Sequence, residues 1–498
     1  MDRRRFFGTS LATAAALSLG GRESLASDVP SSAIVSDLTA VTRSGATTTL
    51  AKSDLQTLKE SLRGALLLPG SPGYDEARRV INDAIDRHPA LVVQPSGPAD
   101  VRTAVNFARE HALLLAVKCG GHSQSGQSTC DGGLQIDLSR LRGVRVDAAT
   151  RTAYVAGGSL LGDIDHEAMA LGLVTTAGTV SHTGVAGLTL GGGFGRLARR
   201  FGLAADNVQA VDIVTADGQL RHASAHENPD LYWGVRGGGG NFGVVTAFEF
   251  ALHPMQRQVL GGSLVFPASR ARELLAFYGD YSLRAPDELY VDCVLTSAPG
   301  KPAVWVLNLC YSGTPDRADA VLAPLRKLGP PIADTIKSMD YVAIQRGTDK
   351  TDARIETVYE RTGFIDGFRP ELIAALAEGF VPSADRKITL YFQHCGGLIG
   401  RIPAGATAFP HRRSTHNMLL ISAWPGEADP APGKAYVDDY WRTLAPYTDG
   451  FYMNEVSDES PSIVEANYQG NLGRMRAIKA KFDPGNLFRL NPNVAPQA

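Results

Sequence analysis

The chain has little cysteine, almost no net charge and no long apolar run. Its five cysteines, Cys119, Cys130, Cys293, Cys310 and Cys395, are an odd number in 498 residues and match no zinc-ligand spacing. That excludes a disulfide-stapled scaffold and a zinc module. They read as buried thiols, and both a Cys119–Cys130 bridge and free thiols are compatible with the sequence. The 49 basic residues nearly cancel the 51 acidic ones, so no charge field points to nucleic acid or an anionic membrane. The apolar stretch Leu11–Leu19 is too short to span a bilayer. It follows Arg3-Arg4-Arg5-Phe6-Phe7 and precedes Ser24-Leu25-Ala26, the charged, apolar, small-residue order of a twin-arginine-type export signal. The sequence therefore predicts a signal peptide over 1–26 and an exported protein, periplasmic or extracellular, with no stable membrane insertion.

Glycine, by contrast, is abundant: 53 residues, clustered as for tight turns and close ligand approach rather than spread as linker. Helices are predicted over Leu55–Leu66, Pro98–Glu110 and Leu160–Leu171, and strands over Ala90–Val93, Leu113–Val117, Leu134–Leu138, Val144–Val146 and Ala153–Ala156. This alternation argues an α+β nucleotide-binding body over 85–258, after an N-terminal segment and helix over 27–84. From 259 to 455 strands such as Leu289–Thr296 and Val304–Cys310 alternate with helices such as Ser269–Leu283, Pro315–Leu325 and Pro370–Ala377. That reads as a second domain whose sheet roofs a cleft. A C-terminal segment, 456–498, opens with a predicted helix over Ile463–Phe482.

Three glycine clusters carry the chemistry. The first, Gly120-Gly121-His122-Ser123-Gln124-Ser125-Gly126, sits between two strands, where backbone N–H groups can form a phosphate nest beside a histidine. The second spans 178–195 and includes Gly178-Thr179-Val180-Ser181-His182-Thr183-Gly184. The third is Gly237-Gly238-Gly239-Gly240-Asn241-Phe242-Gly243. Its G-x-G-x-x-G fails as a dinucleotide-fold fingerprint, because it follows a helix and enters a strand. The first cluster also misses the serine-hydrolase elbow, its closing glycine falling one position late.

In this order, with Pro89–Val93 before them, Asn228–Trp233 between the second and third, and Lys481-Phe482-Asp483-Pro484-Gly485-Asn486-Leu487-Phe488 near the end, the clusters resemble the berberine-bridge-enzyme-like FAD-linked oxidases. These are a branch of the vanillyl-alcohol oxidase superfamily. The resemblance is close over 85–255 and 460–495 and looser between. It implies a two-part PCMH-type FAD-binding domain plus an α/β substrate domain, with an antiparallel sheet over the flavin.

By resemblance, His122 bonds covalently to the flavin 8α-methyl, and Val180 replaces the cysteine that makes a second link in many members, so one link is expected. Gly120, Gly121 and Ser123 would hold the pyrophosphate, continued by Thr179, Gly184, Gly187 and Thr189, with Val245 at the adenine side and Asn491 and Asn493 near the ring. Thr183 matches the position that controls oxygen access. Tyr452 matches a tyrosine over the flavin and is the first candidate for catalytic base, which requires its pKa to fall well below about 10. Gln393 can position a substrate but cannot take a proton, His394 should face away from it, and Glu455 and Tyr391 are reserves. Phe409-Pro410-His411-Arg412 reads as structural. The expected activity is oxidation of an alcohol or amine by hydride transfer to flavin, with a small-molecule substrate, O2 as acceptor and hydrogen peroxide as product. No nucleic-acid partner is expected, and the protein should be a monomer or weak dimer. The alternatives are a dehydrogenase using another acceptor and a flavin-containing binding protein without turnover.

Overall fold

The computed structural model describes residues 32–497 except 348, 350–355, 427 and 456–459. The proposed signal peptide lies outside the described residues. Three sheets organise the rest. In the first, strands Leu91–Gln94, Leu134–Asp137 and Leu115–Lys118 run parallel, and Ala65–Leu67 pairs antiparallel with the first of them. These strands are buried on both faces, as parallel sheets require, and helix Pro98–Glu110 packs its Val101, Ala104, Val105 and Ala108 onto them. Proline at the first helical turn sets that entry.

The predicted Leu55–Leu66 helix is shorter: it covers Lys52–Ser61, and Ala65–Leu67 is a strand. The cause is close backbone approach at Gly64, where a Cβ would lie 2.0 Å from the Gln94 carbonyl oxygen. Long-range pairing overrides helical propensity there.

The second sheet is antiparallel, in the order Leu220–Ser224, Val208–Val214, Val244–Ala251, Thr152–Ala156, Val144–Asp147. Its inner face forms one core with helix Leu161–Met169 and the C-terminal helices. The third sheet has eight strands, with Leu289–Ser297, Lys387–His394, His416–Pro425 and Glu356–Ile365 adjacent and antiparallel in that order. Phe392, Leu390, Met418 and Leu420 face helices Ala271–Arg284, Pro370–Gly379 and Ala431–Leu444. The alternate residues therefore face the other way. The α+β class and the roofing sheet follow the sequence expectation.

Buried polar ties fix this roof. The Arg199 guanidinium donates to the carbonyls of Leu289, Ala285 and Cys395 at 3.0, 2.8 and 2.5 Å. Arg412, 1% exposed at its side chain, makes a bidentate pair with Asp206 at 2.7 Å for both bonds, which is the structural role read for its segment. The C-terminal helix is two helices, Pro461–Asn467 and Leu472–Phe482, with a 3₁₀ turn at Gln469–Asn471. All five cysteines are free thiols.

Candidate active site

The three glycine clusters, the C-terminal segment and the third sheet enclose one cavity of about 580 Å3, within the range of cofactor pockets. Gly120, Gly121, His122, Ser123, Thr179, Thr183, Gly184, Gly187, Val245 and Asn491 line it, as do Tyr391, Gln393, Tyr452 and Glu455. Thr189 and Asn493 do not. Thr189 is buried in helix Val185–Leu190, whose Ala186, Gly187 and Leu188 take the cavity side. Beyond Asn491 the chain is pinned to the third glycine cluster, since Asn241 donates to the Pro492 carbonyl and accepts from Val494 N–H.

The first two glycine loops lie back to back. A Cβ on Gly120 would stand 2.4 Å from the Gly184 nitrogen, and one on Gly184 would stand 2.3 Å from the Gly120 nitrogen. Gly121 adopts φ +72°, a left-handed conformation that glycine takes without strain. This apposition brings His122 Nε2 within 2.6 Å of His182 Nδ1, with ring centroids 4.6 Å apart.

The glycines fit a dinucleotide with a flat ring system. A Cβ at Gly187 would meet nothing within 4 Å, and one at Gly240 nothing closer than 3.8 Å, so protein packing does not require glycine at either. Gln124 Oε1 and Asn491 Oδ1 are buried at the cavity without a partner among the described residues, and a ligand's donors would satisfy them. Apolar walls at Leu115, Val117, Leu138, Val244 and Phe488 suit an adenine.

The roof is set by strand register. Phe364 lies opposite Asn417, and Asn417 opposite Gln393; one step along, Thr362, Leu419 and Tyr391 form the next row, and Glu360 and Ile421 begin a third. The resulting face over the cavity is polar at Glu360, Tyr391 and Gln393 and apolar at Leu419 and Ile421. Asn417 Nδ2 donates to Gln393 Oε1 at 2.8 Å and to Glu455 Oε2 at 2.9 Å, and Thr362 Oγ1 donates to Asn417 Oδ1 at 2.8 Å. Burial pushes the Glu455 carboxyl up to about 7, partly offset by the Asn417 amide. Glu360 shifts well upward, first from burial and then from the neighbouring Glu455 charge. The two carboxyl groups thus share protons as a pair.

The hydroxyl oxygen of Tyr452 accepts from the N–H groups of Gly193 and Phe194 at 3.1 and 3.3 Å and from Asn454 Nδ2 at 2.7 Å. Burial and the Glu455 charge raise its pKa despite these bonds, opposite to what the role of base requires. Tyr391 donates to Asp292 at 3.1 Å, and burial holds its pKa well above the usual value. His394 faces away, its Nδ1 accepting from Val291 N–H at 3.3 Å, and burial holds it neutral. Glu360, Asn417 and His182 are the site residues that sequence reading did not single out. The available signals were a carboxylate in an otherwise β-prone strand and a histidine inside the second glycine cluster.

A glycine cradle lined by the histidine pair His122 and His182 and by the carboxyl groups of buried Glu360 and half-buried Glu455 defines a flavin-dependent oxidoreductase. Residues 89–224 match the family described as FAD binding domain, and residues 451–495 match the family described as berberine and berberine like. An FAD-linked oxidoreductase from Dictyostelium discoideum is 32% identical over 442 residues, 88% of this chain and 96% of that protein. The (R)-6-hydroxynicotine oxidase of Paenarthrobacter nicotinovorans is 29% identical, over 88% of this chain and 98% of that one. The solved 6-hydroxy-D-nicotine oxidase from Arthrobacter nicotinovorans superposes with TM-score 0.80 at 27% identity, covering 88% of this chain and 99% of that one. This chain belongs to the berberine-bridge-enzyme-like FAD-linked oxidoreductases.

Proposed function

We propose that the protein is an exported oxidase that carries FAD on a single covalent bond to His122 and oxidises a small alcohol or amine. The carrying observation is the half-buried carboxyl of Glu455, braced by Asn417 beside Gln393 and facing the cavity. When bound, FAD supplies the hydride acceptor and returns its electrons to O2 as hydrogen peroxide. Glu455 takes the O–H or N–H proton, and its pKa of about 7 suits a general base at neutral pH. Gln393 orients the substrate heteroatom, and Tyr452 serves to hold the loop at Gly193 and Phe194. Leu188, Phe194, Leu419 and Ile421 form an apolar wall, which favours an aromatic or polycyclic substrate over a long sugar.

A single link is supported by Val180 at the cavity and by the Cys119 thiol, which turns toward the Gly157 carbonyl at 3.1 Å. Thr183 lines the cavity, consistent with oxygen access by resemblance. Export rests on the N-terminal sequence alone. Anaerobic flavin bleaching and aerobic peroxide release, screened over benzylic alcohols and cyclic amines, test the reading. At least one class should bleach the flavin and release peroxide. Bleaching without peroxide would indicate a dehydrogenase, and no bleaching by any of them would count against turnover of this substrate class.

A further inference from the structure

The second histidine, His182, has no place in the reaction above, yet its Nδ1 stands 2.6 Å from His122 Nε2. Its position follows from the paired glycines at 120 and 184, which let the two loops touch. Both histidines also line a second, polar cavity of about 230 Å3, along with Arg79, Lys118, Asp137 and Arg142. His182 therefore contacts His122 and borders both the main cavity and this polar space.

We propose that His182 prepares His122 for flavin attachment: its Nδ1 accepts the Nε2 hydrogen of His122, so that the Nδ1 lone pair of His122 is the nucleophile. The inference rests on the single-link reading above. A neutral imidazole has one nitrogen protonated and one free to attack, and the hydrogen bond at the first decides which is which. The new bond joins His122 Nδ1 to the 8α carbon of FAD. The methyl group gives up one hydrogen as a proton, and the Nε2 hydrogen passes to His182. Two electrons remain on the flavin until O2 removes them, with two protons, as hydrogen peroxide. His182 is a positioning residue and proton acceptor for this step and has no part in substrate oxidation.

The test follows attachment itself. Protein produced under riboflavin limitation is mixed with FAD in air, and total bound flavin and acid-stable flavin are measured over time for wild type, His182→Ala and His122→Ala. His182→Ala should bind FAD as wild type does but acquire acid-stable flavin about 100-fold more slowly, and added imidazole should restore part of the rate. A merely structural role would lower total binding and would not respond to imidazole. Attachment by His182→Ala at the wild-type rate would overturn the proposal. Should that variant fail to fold, NMR of the flavinyl peptide from the wild type decides. Attachment at Nδ1 is expected, and attachment at Nε2 would overturn the assignment. Flavin that dissociates fully from acid-treated wild type would instead overturn the single-link reading on which the inference rests.

Discussion

At the scale of single residues, the site turns on where protons can reside. Glu455 has its pKa raised to about 7 by burial, so its basic form exists above that value and is lost below it. The rate of flavin reduction by bound substrate should rise with pH through about 7 and level off, provided the substrate itself does not titrate there. The titratable groups that feel the Glu455 charge are Glu360, Tyr452 and Cys395, and each is pushed upward rather than made more acidic. Glu455→Gln should lower that rate by roughly 10²–10⁴-fold, whereas Tyr452→Phe should leave it within about tenfold. Stopped-flow bleaching separates the two, and the reverse order would reinstate the tyrosine as base. The same carboxyls shape stability. A buried acid with a raised pKa contributes stability that is full below its unfolded pKa and lost as pH rises through the folded value. Glu360→Gln should therefore stabilise the protein by roughly 1–3 kcal/mol at pH 8 and little at pH 4, as measured by urea unfolding at both.

At the scale of elements, glycines mark two different needs. Gly120 and Gly184 serve protein packing, because a Cβ on either would strike backbone. Gly187 serves the ligand, since a Cβ there meets nothing within 4 Å. Gly187→Leu should leave the flavin-free protein's stability within about 1 kcal/mol while sharply weakening FAD retention, and equal loss of both would refute a ligand role. The sequence made much of this legible. The three clusters, the strands around the first and the roofing sheet stand where their residues predicted, because glycine clusters and alternating apolar runs are local signals. The positions of Glu360 and Asn417 were not legible: strand register alone sets Asn417 opposite Gln393 and Glu360 opposite Ile421 on the cavity wall, from separate strands. Gly64 shows the same limit, its helix being cut short by a partner in Leu91–Gln94.

At the scale of the whole molecule, the C-terminal segment closes the FAD-binding half. Lys479, fully buried, donates to Asp483 at 2.7 Å, to the Asn241 carbonyl at 2.7 Å and to the Phe488 carbonyl at 2.8 Å. It joins the third glycine cluster to the chain that lines the cavity. Lys479→Met should cost roughly 3–5 kcal/mol, because it strands the buried Asp483 carboxylate, and thermal unfolding would register it. The account as a whole rests on flavin held at His122, between the glycine loops and the carboxylate roof. Its most direct test is the absorbance spectrum of the purified protein before and after acid precipitation. The account predicts a flavin spectrum that stays with the wild-type pellet and moves to the supernatant for His122→Ala. A colourless wild-type protein, or flavin that stays bound to the variant's pellet, would contradict it.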